Sequence, residues 1–158
     1  MACGAFDAHR RFRELTVHIL GDTLLGVDTA GDESVVMAAA DAVVDRSDPR
    51  RLGQLLPDVI PTPTDRRLAR RLRELDAYVD ALLEDASADG NDVRSVLVGA
   101  HEEGGLTRAE VRDNLVAVLL AGHDSSAAAL TYLWYELTRH PSVLGRIREE
   151  VTEVVGDR

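Results

Sequence analysis

Lysine is missing from this chain, so all 18 cationic side chains are arginines, and they face 28 aspartates and glutamates for a net charge of −10. A surplus of acid on this scale repels polyanions and excludes nucleic acid as a partner. Aspartate-rich, lysine-free composition suits solubility in high salt, and a GC-biased coding sequence produces much the same. A single cysteine, Cys3, excludes an intrachain disulfide and any multi-cysteine metal site, which fits a reducing compartment. No apolar run reaches the roughly 18 residues of a membrane span, and the first twenty residues are too charged for a signal peptide. The expectation is a soluble cytoplasmic protein without a membrane span. Strand-type alternation is nearly absent, and there is no internal repeat.

What is present is helical periodicity, over a chain of 158 residues that is long enough for one domain with a sizeable core. The fold class read from it is all-α. The segment FDAHRRFRELTVHILGDTLLG places Phe12, Leu15, Ile19 and Thr23 on one face, with Gly26 as a C-terminal stop. A second helix runs through ESVVMAAADAVVD. Four prolines between 49 and 63 then make a connector, in which a short turn at RRLGQLL can survive. From Thr64 the apolar stripe Leu68, Leu72, Leu75, Val79 and Leu82 marks a third helix. Arg66, Arg67, Arg70, Arg71 and Arg73 crowd its start, where the macrodipole disfavours cations. A solvated face is the simpler account of them, and a docking patch the sharper one. After the loop ASADGND, VRSVLVGAHE forms a short helix and EGG breaks it.

Thr107 and Glu110 stand in capping-box spacing and open a helix of about 33 residues that ends near Arg139, ahead of Pro141. Pro141 suits the first position of a last amphipathic helix carrying Leu144, Ile147, Val151 and Val154. The long helix contains a local contradiction. Its sequence LVAVLLAGHDSSAAALTYLW is strongly apolar except for GHDSS, where Gly122, Asp124, Ser125 and Ser126 are all poor helix formers. Asp124 shares its face with Ala117, Leu120, Ala128 and Thr131, and an unpartnered carboxylate buried there is costly. Two accounts stand side by side. In one, Ala121, Gly122, Ser125, Ser126 and Ala129 let a neighbouring helix approach while the serines bond back to carbonyls one turn earlier. In the other, the helix opens beside a polar pocket in which Asp124 and a hydroxyl handle protons.

The string LLAGHDSSAAALTYLWYELTRHPSVLGRIREEV resembles the long central helix and following helix of the cytochrome P-450 family, whose signature there is Ala/Gly-Gly-x-Asp/Glu-Thr-Thr/Ser. LTVHILGDTLLGVD, LPDVIPTPTDRR and GGLTRAEVRDNLVAVLLAG are similar to the same family in the same order, so the resemblance covers nearly the whole chain. It implies a haem-thiolate monooxygenase that uses haem b, acts on a small organic substrate and receives electrons from a ferredoxin or a flavoprotein reductase. Carried over residue by residue, Ala121 and Gly122 lie beside the haem face, with Ser126 also on the cofactor side. Asp124 is then the acid and Ser125 the alcohol that stabilise bound dioxygen and supply protons for its cleavage. Serine replaces the usual threonine, keeping the hydroxyl but losing the methyl that restricts its rotamer, so looser coupling is expected.

The family also places a Glu-x-x-Arg helix and a cysteine-bearing loop near its C-terminus, and thiolate donation favours O–O cleavage. The cysteine loop does not occur here, since Cys3 lies at the other end without the surrounding motif, and the one literal Glu-x-x-Arg match, Glu136 with Arg139, closes the long helix ahead of where the family places that pair. The resemblance thus makes residues 1–158 a partial P-450 domain without the N-terminal sheet region or the iron ligand. Its expectations are inactivity as an isolated chain and no thiolate-type haem spectrum. The alternative is a non-catalytic helical module that binds a partner. The histidines 9, 18, 101, 123 and 140 have no zincin spacing, and His123 fills the motif's variable position.

Overall fold

A computed structural model describes residues 7–29, 31–48 and 62–156. Cys3 and most of the proline-rich connector, with its RRLGQLL turn, lie outside the described residues. Six α-helices follow one another: α1 (Ala8–Leu20), α2 (Glu33–Ser47), α3 (Pro63–Glu84), α4 (Val93–Glu102), α5 (Arg108–Arg139) and α6 (Pro141–Val155). No strand occurs among the described residues. The fold is the expected all-α one, and α5 has 32 residues.

Each helix start is chemically specified. Thr107 caps α5 by accepting the Glu110 amide at 3.2 Å while the Glu110 carboxylate accepts the Thr107 amide at 2.8 Å. Asp65 plays the same part for Thr62 at the head of α3, with Pro63 in the first helical position. These bonds also hold both carboxyls below the usual carboxylate range, the backbone amide of the capping threonine being the largest cause in each case. Asp92 caps α4 through the Ser95 amide at 2.9 Å. Arg94, almost buried, donates to the Leu82 carbonyl at 2.9 Å and so satisfies an acceptor in the last turn of α3.

The core lies where α1 packs along α5, with α2 against α3 beside them. Val17, Leu25, Val36, Leu75, Val79, Leu115 and Leu119 are fully buried in it. On α1 the buried positions are Thr16 and Val17, followed by Gly21 and Leu25. The face carrying Phe12, Leu15, Ile19 and Thr23 is therefore not the core face, for Leu15 and Ile19 are about half exposed. Two features turn the helix that way. Residues Gly21–Leu25 form a π-turn, one residue wider per turn, which brings Leu25 rather than Leu24 into the core. Gly21 then passes so close to Thr29 that a Cβ there would sit 2.5 Å from Thr29 Cγ2 and 2.8 Å from the Val27 carbonyl. Gly26, at φ 60°, closes the turn in the left-handed region that favours glycine.

On α3 the buried stripe is Leu75, Val79 and Leu83, with Leu68, Leu72 and Leu82 at its margin. The arginines at its start are largely engaged locally. Arg67 pairs with Asp45 at 3.1 Å, Arg71 with Glu74 at 2.6 Å, and Arg73 donates to the Ala69 carbonyl. By length and composition α5 could cross a membrane. Its buried residues Val111, Leu115, Leu119, His123 and Ala127 recur every four residues, which is the single stripe of a helix packed against other helices. α6 buries nothing, and its Val143, Ile147, Val151, Val154 and Val155 face solvent.

Candidate functional site

The motif in the middle of α5 points in two directions. His123 and Ala127 face inward, whereas Ala121, Ser125 and Ala129, each one turn apart, lie on the exposed side. Ser125 donates to the Ala121 carbonyl at 3.1 Å and Ser126 to the Gly122 carbonyl at 2.8 Å, the back-bonding that weak helix formers use inside a helix. Gly122 is turned toward α1. A Cβ there would stand 3.0 Å from Leu20 Cδ2 and 3.1 Å from Leu20 Cδ1, so the missing side chain is what lets α1 close in. Gly122 serves the helix packing of the first account and the serines bond back as that account expects, while Ala121 with Ser125 makes an exposed small-residue face.

Asp124 sits between these two sides, with its side chain 44% exposed. Its Oδ1 lies 3.1 Å from Nε of Arg13 on α1. That N–H is not aligned on the oxygen, so the contact is an ion pair rather than a good hydrogen bond. Arg13 is itself only 12% exposed and is fixed from α2, by Asp41 at 2.9 Å and by the Met37 carbonyl at 3.3 Å. The carboxylate on α5 is therefore compensated, which resolves the cost its apolar neighbours implied.

His123 is fully buried. Its Nδ1 donates to the Leu119 carbonyl at 2.8 Å, and Nε2 is left buried with no hydrogen-bond partner among the described residues. Thr16 Oγ1 reaches the His123 carbonyl at 3.0 Å, tying α1 to the motif's backbone. Sequence reasoning passed over Arg13, Thr16, Leu20 and Asp41. Their signal was spacing: positions 13, 16 and 20 of α1 fall on one helical face, adjoining the buried Val17.

A planar group can lie against the Ala121–Ser125–Ala129 face, because no side chain there is larger than serine. Among the described residues no group of histidine, cysteine, aspartate and glutamate side chains can hold a metal. That face thus fits a flat group such as haem as one wall of a pocket, and the described residues include no cysteine to serve as a thiolate ligand to its iron.

Comparison with known proteins gives the family. The family model for cytochrome P450 matches residues 2–158, and the chain belongs to that family. Among curated relatives, cyclooctatin synthase of Streptomyces melanosporofaciens is 35% identical over 106 residues, 63% of this chain and 23% of that protein. Cytochrome P450 135B1 of Mycobacterium tuberculosis is 31% identical over 153 residues, 90% of this chain and 32% of the relative. LUTEIN DEFICIENT 5, a chloroplastic protein of Arabidopsis thaliana, is 28% identical over 170 aligned positions, 93% of this chain and 28% of the relative. The chain spans between about a quarter and a third of the length of these relatives.

Proposed function

We propose that this chain forms the oxygen-side wall of a haem monooxygenase pocket, acting in the cytoplasm on a small organic molecule with electrons from a ferredoxin or a flavoprotein reductase. The observation that carries the proposal is the division of labour within one turn of α5: a bare small-residue face bearing the Ser125 hydroxyl, and beside it a half-exposed carboxylate held by an arginine. Haem bound against that face supplies the iron chemistry that activates dioxygen and oxidises the substrate.

The chain's own residues contribute position and protons. Ala121 and Ala129 leave the face flat, so that a planar group can approach the helix backbone. Ser125 holds one proton at Oγ, donating it to the Ala121 carbonyl at rest, and rotation about χ1 redirects it outward. Asp124 relays the replacement, taking a proton from solvent water on its half-exposed side, passing it on and returning to the carboxylate. Adjacent residues lie about 100° apart around a helix, so the transfer runs through water rather than by direct contact.

The test is the coupling of reductant to product in a haem-loaded protein in which this chain is joined to a region that supplies the iron-ligating cysteine. Asp124→Asn and Ser125→Ala alter exposed or half-exposed side chains and should leave the fold intact. Each is expected to lower the product formed per reductant consumed by about 10-fold or more, a positioned proton-transfer group being worth about 10²–10⁴-fold, with hydrogen peroxide making up the difference. Coupling equal to that of the unsubstituted protein in both variants overturns the proposal.

A further inference from the structure

Asp124 is not placed by α5 alone. The guanidinium of Arg13 touches three helices at once, being rooted on α1, held by the Met37 carbonyl and Asp41 on α2, and set 3.1 Å from Asp124 on α5. We propose that Arg13 is a positioning residue for Asp124, holding its carboxylate in one place on the α1-facing flank of α5, beside the face that carries Ser125. This rests on the proton-handling reading of Asp124 given above.

The chemistry of the group suits that task. A guanidinium keeps its proton at any pH a protein survives, and its planar fork fixes direction as well as charge. With two of its nitrogens already committed on α2, the guanidinium is fixed beside Asp124, where it acts by charge attraction. Arg13 pairs with Oδ1, so Oδ2 is the oxygen left to reach water on the way to Ser125. Arg13 and Asp41 also line the surface groove between α1 and α2, so the group that holds the carboxylate borders solvent there. A shift of α2 against α5 therefore changes how Asp124 is held without touching the motif itself.

Two cycles of substitution test this. In the haem-loaded protein, Arg13→Gln is expected to lower coupling several-fold with the KM for substrate unchanged, and Arg13→Lys to recover part of the loss. Added to Asp124→Asn, Arg13→Gln should cause no further loss, because it acts through that carboxylate. A loss that multiplies on the Asp124→Asn background marks Arg13 as a packing residue and overturns the proposal.

The haem-free chain gives an independent readout by urea unfolding. Asp124→Asn should lower the folding constant about 3-fold when Arg13 is present and by less than about 1.5-fold in Arg13→Gln, the size expected for a partly exposed pair. Equal losses in both backgrounds also overturn the proposal. If this cycle shows the pairing but Asp124→Asn leaves coupling unchanged in the loaded protein, the proton reading of Asp124 fails while its placement by Arg13 stands. Should Arg13→Gln not fold, Arg13→Lys takes its place in both cycles, since one ammonium cannot serve Asp41 and Asp124 together, and intermediate losses are then expected.

Discussion

The hydroxyl of Thr16 lies 3.0 Å from the main-chain carbonyl of His123, the residue immediately before Asp124. Through this contact α1 grips the backbone of the motif itself. The neighbouring contacts on the same face, Arg13 with Asp124 and Leu20 with Gly122, place the candidate acid by three different kinds of interaction within two turns.

The two helix-contact glycines should respond differently to alanine. At Gly21 a Cβ meets the Val27 carbonyl at 2.8 Å and Thr29 Cγ2 at 2.5 Å, and backbone cannot yield cheaply. Gly21→Ala is expected to cost about 2 kcal/mol, the middle of the range for overpacking. At Gly122 the obstacle is the flexible end of Leu20, and the gain in helix propensity, about 1 kcal/mol, offsets the strain. Gly122→Ala should therefore change stability by less than about 1 kcal/mol. Urea unfolding of both variants measures the contrast.

His123 supplies core volume at the cost of a stranded nitrogen. Leucine fills similar space without the buried, unpartnered Nε2, so His123→Leu is expected to be neutral or to stabilise by about 1 kcal/mol. His123→Ala opens a cavity at a fully buried position and should cost about 3 kcal/mol. A His123→Leu variant much less stable than the unsubstituted chain would show that the Nε2 has a partner in solution.

Asp92 makes stability depend on pH. Burial pushes its carboxyl up, but the Ser95 amide, the Arg94 guanidinium and the Ser95 hydroxyl together outweigh burial and hold it below the usual carboxylate range. A lowered folded-state value means the contribution is complete above about pH 4, the unfolded value, and is lost as pH falls through the folded one. Asp92→Asn keeps a capping oxygen but loses the charge, so it should cost less than about 1 kcal/mol at pH 7. That difference should close as pH falls through the lowered folded-state value, read from urea midpoints across the range.

The outer faces of α5 and α6 predict self-association. Tyr132 is 74% exposed and Val154 78%, with Leu133, Tyr135, Val151 and Val155 more than half exposed around them. Apolar surface of this extent drives association in water. Light scattering of the chain should show mass rising with concentration, and Val151→Glu with Val154→Glu should reduce it. A concentration-independent monomer counts against this expectation.

The long helix, its capping box and the proline that ends the run were legible because each rests on local chemistry, a Thr107–Glu110 spacing or a missing N–H at Pro141. The same holds for α4, whose bounds match VRSVLVGAHE residue for residue. The core face of α1 was not legible. Leu15 and Ile19 are more apolar than Thr16 and Gly21, yet the smaller residues are the buried ones, because close approach of α5 and of Thr29 selects small side chains there. The motif announced itself by its poor helix formers, while the partner of Asp124 did not. An arginine 111 residues earlier reaches it only once α1 lies along α5, and no periodicity within either helix encodes that pairing.

Trp134 is the single tryptophan of the chain, and its ring meets Phe12 of α1 edge-on with centroids 6.3 Å apart. It stands on the same pair of helices whose contact carries Thr16, Arg13 and Asp124. Indole emission shifts in wavelength and intensity when its surroundings change from protein to water. The chain therefore carries an optical gauge of the α1–α5 seam, and its fluorescence can follow, without any label, whether the helix that holds the acid is still seated.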